Sequence, residues 1–449
     1  MTGILATIPL NIGNLHLGGE HPIRLQSMTD TDTRDIKATV AQCIRAFEAG
    51  ADLMRISVPD QASLQALKSI KNKLNNDGFH QPLVADIHFK PELALAAATI
   101  VPKIRINPGN FIKASTKNKT KIPGKEQHLE LLQEALKPLV NRCKEHGTAI
   151  RIGTNAGSLP QHIFDTDGFT PAAMVQATFE YISVFEALGF KKLVISLKAS
   201  DPVLMFESCR LMADRMMQNN TLYPMHVGVT EAGEGLGGRV RSALGLIPLL
   251  QSGIGDTIRV SLTEPPEQEI NFGKKIISVM ESYRQEASRT NYPDEDEDYV
   301  IVKLIADAGG SLLNNDINDL SVSTPGITDK HFAEKLCNEL LQAAGKRHGS
   351  TTFISCPACA RTKFDIGSFV KQIKQELPEY PGLKIAVMGC VVNGPGEMAG
   401  ADYGILGTPK GTVHIYKGTK CILKHIAPDL AAKRLIEIIN MNDIRSKKH

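Results

Sequence analysis

The sequence contains no tryptophan, few other aromatic residues and only short apolar runs. The longest of these runs, about residues 385 to 392, is far shorter than the ~18 residues that cross a bilayer, which predicts a protein without a membrane-spanning segment. A large excess of either charge is also lacking, because 51 Lys and Arg stand against 48 Asp and Glu. Such a composition is typical of a globular protein and does not suit one that coats nucleic acid.

Cysteine is sparse as well. Eight cysteines in 449 residues are too few for a disulfide scaffold, and only Cys356 and Cys359 lie close together in the sequence. The first 19 residues have no basic start, and Pro9 and Asn11 interrupt their apolar pattern, which is not typical of a secretory signal. We therefore expect a cytoplasmic protein in a reducing compartment, where the close cysteine pair serves metal or redox chemistry.

What the sequence does contain is a repeated unit, in which an apolar stretch rich in β-formers precedes a helix-patterned stretch. Eight such units fit into residues 1–284, and Gly50, Gly147 and Gly253 are among the glycines that end the helical stretches. This repeat predicts an α/β protein whose N-terminal part is a (β/α)8 TIM barrel. A doubly wound open sheet is disfavoured because no Gly-rich first turn is present. The predicted strands lie at 23–29, 52–58, 82–89, 103–107, 149–155, 192–198, 223–229 and 256–262.

The pattern changes after the barrel. The acidic run NYPDEDED at 291–298 is typical of a solvated linker, and residues 285–350 contain too few patterned segments for us to assign them a role. A smaller α/β unit follows, with strands before the CPAC and NGPGE turns and a final helix at 429–440. The sequence therefore predicts three parts: a barrel over 1–284, a linker or insertion over 285–350, and a second domain over 351–449.

Five of the eight predicted strands carry a cation near the carboxyl end, where barrel active sites lie. Burying a cation without a partner is costly, and Arg binds phosphate oxygens in a bidentate manner. The convergence of these side chains predicts a site for a small polyanion, most simply a diphosphate, although each alone could extend outward or pair with an acid. Asn107, Asn155 and Ser261 lie nearby and could supply neutral hydrogen bonds. The five cations are Arg55, Arg105, Arg151, Lys198 and Arg259.

Other strand ends carry groups suited to proton transfer. Asp86 and His88 are two residues apart on one strand and therefore face the same side, and His226 precedes a turn that carries Glu231. A carboxylate or an imidazole that faces a pocket can exchange a proton with a substrate. A structural hydrogen bond explains Asp86 and His226 equally well, so Glu231 is the stronger catalytic candidate.

Three cysteines predict a metal site in the second domain. Cys356 and Cys359 form a CxxC turn directly after a strand, and Cys390 follows 31 residues later at the end of another. A zinc ribbon would need a second CxxC, which the sequence lacks, and Cys421 is a weak fourth ligand. A redox dithiol would leave Cys390 without a role. An iron-sulfur cluster fits three cysteines and one different ligand, and Glu397 on the NGPGE turn is the natural candidate for the fourth iron.

Eight segments of the sequence together carry a resemblance to a known family. They resemble motifs of the 4-hydroxy-3-methylbut-2-en-1-yl diphosphate synthases, the iron-sulfur enzymes of the methylerythritol phosphate route to isoprenoids. The CPxC pair and the last segment are the most specific of them. The segments are QSMT (26–29), ADIHF (85–89), RINPGN (105–110), RIGTNAGSL (151–159), SLKAS (196–200), GVTEAG (228–233), SCPAC (355–359) and GCVVNGPGE (389–397).

This resemblance implies a fold, a cofactor and a reaction. It implies a TIM barrel that binds a cyclic diphosphate and an α/β ferredoxin-reductase-like domain that holds a 4Fe-4S cluster through Cys356, Cys359, Cys390 and Glu397. The expected reaction is the reductive dehydroxylation and ring opening of 2-C-methyl-D-erythritol 2,4-cyclodiphosphate, with electrons from ferredoxin or flavodoxin. Glu231 would then donate or relay a proton.

The sequence departs from the resembled family in two places. The stretch 285–350 is longer than in the short bacterial form and shorter than the extra domain of the plant and chlamydial form, and the loop at 111–125 is extended. In the short form a homodimer closes the barrel of one subunit with the cluster domain of the other, so we expect a homodimer and leave open which chain completes the site. Two other classes also stay open: a zinc-dependent aldolase or hydrolase on a sugar phosphate, and a zinc-stabilised binding protein.

Overall fold

The computed structural model contains a barrel, an added layer of two helices and a separate five-stranded domain. It describes residues 6–109, 111, 125–285, 296–320, 330–357, 359–362, 364–390, 394–398 and 400–446. Most of the extended loop expected at 111–125, much of the acidic run at 291–298 and the first residue of the NGPGE turn therefore lie outside the described residues.

A short hairpin precedes the barrel, and the sequence analysis did not predict it. Strand β1 (Leu10–Ile12) pairs antiparallel with β2 (Leu15–Leu17). The apolar side chains of the hairpin pack against Ala149 and Val194, which lie at the amino-terminal ends of two barrel strands. The hairpin thus covers that end of the barrel, and the opposite end is left for the site.

Eight parallel strands form the predicted barrel, which the structure confirms. They are β3 (Arg24–Met28), β4 (Leu53–Ser57), β5 (Leu83–Asp86), β6 (Lys103–Ile106), β7 (Ala149–Asn155), β8 (Leu193–Lys198), β9 (His226–Val227) and β10 (Thr257–Ile258). Their order in the sheet runs from β8 back to β3 and on through β10 to β9, and a bridge between Ile195 and Met225 brings the first and last strands together. Strands β9 and β10 are shorter than predicted.

Helices follow the strands and surround the barrel. Local signals set their ends: the carboxylate of Asp35 accepts a hydrogen bond from the Ala38 amide at one helix start, and Gly50 ends that helix with a left-handed φ of 110°. The short α3 was not predicted. The helices are α1 (Ile36–Ala49), α2 (Gln61–Asn76), α3 (Pro91–Ala97), α4 (Lys125–His146), α5 (Gln161–Asp167), α6 (Pro171–Ala187), α7 (Pro202–Gln218), α8 (Gly235–Gln251) and α9 (Pro266–Gln285).

The stretch that received no role in the sequence analysis contains two helices, α10 (Glu297–Leu313) and α11 (Lys330–Ala343). Both pack against α8, and their apolar side chains belong to the same hydrophobic core as the barrel. This extra layer explains why α8 is apolar on almost all sides, since a helix that is covered on both faces has no polar stripe.

The C-terminal domain is a five-stranded mixed sheet, which confirms the predicted separate α/β unit. The sheet order follows the chain, with the first three strands parallel and the last two antiparallel to their neighbours. Its strands are β11 (Thr352–Ser355), β12 (Lys384–Met388), β13 (Tyr403–Gly407), β14 (Val413–Lys417) and β15 (Lys420–Ile426). Its helices are α12 (Ile366–Glu376), α13 (Gly394–Glu397) and α14 (Pro428–Ser446).

The carboxyl end of β11 faces the open end of the barrel. Ser355 forms a bridge with Ala232 and lies with its Oγ 2.7 Å from Thr263 Oγ1. The guanidinium of Arg241 on α8 donates to the carbonyl oxygen of Phe353 at 3.3 Å. These contacts hold the domain over the barrel of the same chain. Within the described ranges, no helix has the length and apolar character that a bilayer crossing requires.

Candidate active site

Charged side chains line the inside of the barrel at the carboxyl ends of its strands. Strand register places Asp86, Arg105 and Arg151 side by side on β5, β6 and β7. Side chains that are neighbours in register across a sheet point to the same face, so these three face the barrel interior together. They are also buried, with Arg151 only 1% exposed.

One cavity between the barrel and the second domain gathers most of the predicted site residues. It is lined from the barrel side by cations, acids and neutral polar groups, and from the other side by three cysteines. The predicted residues that line it are Arg55, Asp86, His88, Arg105, Arg151, Asn155, Lys198, Glu231, Arg259, Ser261, Cys356, Cys359 and Cys390.

Asp86 is the centre of a network of ion pairs. Its Oδ1 lies 3.1 Å from Arg105 Nη1, and its Oδ2 lies 3.2 Å from Nη1 of Arg361, which comes from the second domain. Burial raises the pKa of Asp86, but the charges of Arg105 and Arg55 outweigh burial and hold that pKa well below its usual range. Arg105 Nη1 also contacts His88 Nε2, and burial and Arg105 lower the pKa of His88 to about 3. His88 is therefore a neutral imidazole at neutral pH.

The positive charges of Arg259 and Arg55 are less fully compensated by neighbouring groups. Arg259 pairs with the buried Glu269, with 3.1 Å between Nη2 and Oε1. Among the described residues, the guanidinium of Arg55 has the sulfur of Met28 as its one hydrogen-bond acceptor, at 2.8 Å from Nη2, and a thioether is a weak acceptor. Burial lowers the pKa of Arg55 to about 9, and the nearby Arg259 adds to this effect.

Arg151 and Lys198 lack a carboxylate partner among the described residues. The Nε and Nη1 atoms of Arg151 are buried, and no described residue offers them a hydrogen-bond acceptor. Burial lowers the pKa of both side chains well below the usual values, and the charges of neighbouring arginines act in the same direction. A buried cation without a partner is unfavourable, so these two side chains are poised to gain from a bound anion.

The cysteines of the second domain lie at the carboxyl ends of two adjacent parallel strands. Cys356 follows β11 and Cys390 follows β12 after one glycine, and the register pairs the ends of these strands. A hydrogen bond from Cys390 lowers the pKa of the Cys359 thiol well below its usual value, and although burial opposes this shift, Arg361 supports it. A low thiol pKa favours the thiolate, which is the form that binds metal.

The donor chemistry of the thiols allows a test of which metal group they suit. Cys356, Cys359 and Cys390 bring three sulfur donors to one cavity. The sequence has no second CxxC pair of the kind that completes a four-cysteine zinc site. Thiolates are the ligands that hold iron-sulfur clusters, so this donor set fits such a group.

Glu231 and Glu397 meet between the two domains. Glu231 has a left-handed φ of 58°, a strained conformation that the loop after β9 imposes on it. Burial raises its pKa well above the usual range, and the adjacent Glu397 carboxylate raises it further. Burial likewise raises the pKa of Glu397 to about 7, while hydrogen bonds with Ser200 and Gly157 oppose the shift. The two carboxyl groups therefore hold at least one proton at neutral pH.

Asn107 and His226 are not among the residues that line the cavity, and their role in substrate binding stays a prediction. The Asn107 side chain donates to Ser158 Oγ at 2.8 Å and accepts from the Gly109 amide, so it holds the loops after β6 and β7. His226 lies inside the barrel below the cavity, with its Nδ1 3.1 Å from Thr257 Oγ1. Both were predicted from strand-end positions, which do not specify how deep a side chain lies.

The sequence analysis did not identify two further cations, the mostly buried Arg361 and the fully buried Lys103. Arg361 lies two residues after Cys359, and that position beside the CxxC turn was the signal that could have identified it. Lys103 is two residues before Arg105 on β6 and therefore faces the same side, and its Nζ is buried without a hydrogen-bond partner among the described residues. With Arg361, six cations surround the cavity while Asp86 and Glu269 are the acids paired with them. The site therefore has an excess of positive charge.

Comparisons with known proteins agree with the barrel and the separate C-terminal domain. Residues 7–274 match the family model described as the GcpE TIM-barrel domain, and residues 352–441 match the GcpE protein C-terminal domain. Together the two matches cover well over half of the chain.

Curated relatives match over nearly the whole chain. A relative from Rippkaea orientalis, named 4-hydroxy-3-methylbut-2-en-1-yl diphosphate synthase (ferredoxin), is 37% identical over 96% of this chain and 92% of that protein. A relative from Parabacteroides distasonis, named 4-hydroxy-3-methylbut-2-en-1-yl diphosphate synthase (flavodoxin), is 32% identical over 96% of this chain and 97% of that protein. Among solved structures, the dihydropteroate synthase of Yersinia pestis is 14% identical with a TM-score of 0.40, covering 62% of this chain and 99% of that one.

Proposed function

The chain belongs to the GcpE family of 4-hydroxy-3-methylbut-2-en-1-yl diphosphate synthases, and from this premise we propose how its residues perform the family reaction. The enzyme is an oxidoreductase that converts 2-C-methyl-D-erythritol 2,4-cyclodiphosphate to 4-hydroxy-3-methylbut-2-enyl diphosphate. Two electrons and two protons enter, the ring opens, and one water leaves. The observation that carries the proposal is that cations of the barrel and cysteines of the second domain line the same cavity.

The barrel cations bind the diphosphate of the substrate in this proposal. Among the residues that the structure describes, no carboxylate forms an ion pair with the buried Arg151 or Lys198, so a phosphate oxygen supplies the charge that they lack. Arg55, Arg105 and Arg259 lie on the same wall, and bidentate contacts from Arg would fix the orientation of the diphosphate. Asn155 and Ser261 supply neutral hydrogen bonds to the remaining substrate oxygens.

The second domain holds a 4Fe-4S cluster in this proposal. Cys356, Cys359 and Cys390 are its thiolate ligands, and Glu397 is the ligand of the fourth iron. When bound, such a cluster supplies electrons one at a time and offers one iron with an exchangeable ligand. A carboxylate suits that exchangeable position because it is a harder and more easily displaced ligand to iron than a thiolate.

Glu231 holds the proton that leaves with the departing hydroxyl group. Its carboxyl group faces the cavity and is protonated at neutral pH because of burial and the neighbouring Glu397. A general acid must be protonated at the working pH, and burial achieves this for a carboxyl group. Asp86 and His88 do not serve as acids, since Asp86 is held ionised by Arg105 and His88 is held neutral. We assign both to the positioning of Arg105.

The electron donor is ferredoxin or flavodoxin, the two proteins that appear in the names of the relatives. Either donor is a reducing protein, and the buried thiolates of the cluster site also need a reducing compartment. A cytoplasmic location therefore stays our prediction.

The expected homodimer stays a prediction as well, but the structure supports completion of the site within one chain. Barrel cations and cysteines of the same chain meet at one cavity, and Arg361 pairs with Asp86 across it. Co-expression of Arg151→Ala with Cys390→Ser distinguishes the two arrangements. Completion within one chain predicts no rescue of activity, whereas exchange between subunits predicts that about a quarter of the sites recover.

Anaerobic purification tests the function itself. We expect a brown protein with iron and sulfide that turns over the cyclic diphosphate with a chemical reductant. A colourless protein with stoichiometric zinc would instead point to a zinc-dependent aldolase or hydrolase, or to a zinc-stabilised binding protein.

A further inference from the structure

A second group of potential metal ligands lies away from the cavity between the domains. His128 on α4, His162 on α5 and Glu180 on α6 each present one donor atom, and the three atoms lie within 4.8 Å of one another. None of these residues lines the cavity or contacts the cysteines. In the described part of the chain, this is the one set of three such side chains at that spacing.

The distances within the group are close to those of a mononuclear site. His162 Nε2 is 3.0 Å from Glu180 Oε2, and His128 Nε2 is 3.7 Å from the same oxygen. Donor atoms about 2.1 Å from a tetrahedral ion lie about 3.4 Å apart, so shifts of a few tenths of an ångström would complete the geometry. The two imidazole rings are tilted by 46° with centroids 4.2 Å apart, so they lie in direct contact.

The hydrogen bonds of the group leave one ligand atom unused. His128 Nε2 is buried and has no hydrogen-bond partner within the ranges that the structure describes, and 3.7 Å is too long for a hydrogen bond to Glu180. The other oxygen of Glu180 accepts from Gln176 Nε2 at 3.2 Å, which fixes the carboxylate. The Nε2 atom of His128 is therefore available to coordinate a cation.

We propose that His128, His162 and Glu180 form a site for a divalent transition-metal ion, with zinc as the best-matched ion. Two imidazoles and one carboxylate are a ligand set that zinc uses in proteins, and water completes the tetrahedron. Both imidazoles are about one-fifth exposed, which gives the ion and its water a path from solvent. Glu180 is 5% exposed, so the ion neutralises a buried negative charge.

The position of this site links it to the loop after β7. Helix α5 begins shortly after the turn Ala156–Ser158, and the Gly157 amide in that turn lies 3.4 Å from Glu397 Oε1. A Cβ atom at position 157 would lie 2.5 Å from the Glu397 amide, so this contact requires glycine. A metal ion that joins α4, α5 and α6 would therefore hold the loop on which Glu397 rests.

Equilibrium dialysis of the iron-loaded holoenzyme against zinc tests the proposal. We expect one zinc per chain to bind while the iron content stays constant. His162→Asn, His128→Asn and Glu180→Gln should each weaken zinc binding by at least about tenfold, since even outer-shell changes cost a metal site 10- to 100-fold. His146→Asn is the matched control, because His146 is an exposed histidine on the same helix that lies beside Glu145.

Three outcomes would overturn the proposal. Zinc that enters only as iron leaves would place the metal at the cysteines. Equal loss of binding in His146→Asn and in the ligand variants would indicate unspecific surface binding. An unchanged zinc affinity in His128→Asn and His162→Asn, which change partly exposed residues, would exclude these ligands. The cobalt-loaded protein provides a second measurement, because its visible d–d absorption should disappear in the same variants.

Discussion

Removal of the Arg361 guanidinium should open the site without removing the cluster. Arg361 joins the second domain to the barrel through Asp86 Oδ2 at 3.2 Å and Ser57 Oγ at 3.0 Å, and a third contact reaches the Asp86 carbonyl oxygen at 3.3 Å. Its side chain is only 11% exposed. In Arg361→Gln, Asp86 keeps Arg105 as the partner of its Oδ1 atom but loses the cationic partner of its Oδ2 atom.

The size of the effect follows from these contacts. Breaking a buried ion pair costs about 3–5 kcal/mol, and we expect the lower end because Arg105 still compensates Asp86. If the contact between the second domain and the barrel loses about 3 kcal/mol of stabilisation, kcat/KM should decrease roughly 10²-fold. Iron content should stay at the wild-type level because Arg361 is not proposed as a ligand.

Anaerobic turnover with a chemical reductant gives kcat/KM, and iron and sulfide analysis of the same samples gives the cluster content. Arg434→Gln is the control, since Arg434 lies in the same domain but pairs with Glu437 on an exposed helix face. A double-mutant cycle with Asp86→Asn should yield a coupling energy above about 1.5 kcal/mol. A kcat/KM value for Arg361→Gln close to that of Arg434→Gln, or a coupling energy near zero, would refute the reasoning.

Four further predictions concern the cysteine ligands, the anion site, the pH dependence of Glu397 and the role of Glu397 as a ligand. Iron and sulfide should be lost from each of the variants Cys356→Ser, Cys359→Ser and Cys390→Ser. They should stay in Cys421→Ser, because the Cys421 thiol lies on β15 and donates to Leu423 O. Iron loss in Cys421→Ser would contradict the ligand assignment. Arg151→Met should weaken substrate binding at least about tenfold in an anaerobic titration. It should also raise the urea midpoint of the substrate-free protein, because it removes a buried charge that has no partner among the described residues. A lowered midpoint would contradict the view that Arg151 lacks a partner before substrate binds. The folded-state pKa of Glu397, about 7, lies above its ordinary value of 4.5, so its stabilising contribution is complete below pH 4.5 and lost as the pH rises through 7. The urea midpoint of the cluster-free protein should therefore fall between pH 4.5 and 7. A fall of equal size in Glu397→Gln would show that Glu397 is not the group that titrates. Glu397→Cys should retain iron but lose most turnover, because a thiolate would occupy the exchangeable iron more firmly.

The sequence by itself determined the barrel and the second domain, because the signals that specify them are local. Alternation of apolar strands and amphipathic helices follows from backbone periodicity, and helix ends follow from side chains such as Asp35 and from the left-handed Gly50. In a parallel barrel all strand ends meet at one face, so the five strand-end cations could be predicted to converge. The CxxC turn likewise indicates a metal or redox site through the spacing of its two cysteines alone.

Tertiary structure alone decided which of these side chains meet and which do not. Arg361 reaches Asp86, which is 275 positions away in sequence, and His226 lies below the cavity although it also stands near a strand end. His128, His162 and Glu180 lie on three separate helices, and no spacing rule relates them. The physical reason is that periodicity and turn chemistry act over a few residues, whereas the depth of a side chain and its distance from another element depend on how whole helices and domains pack.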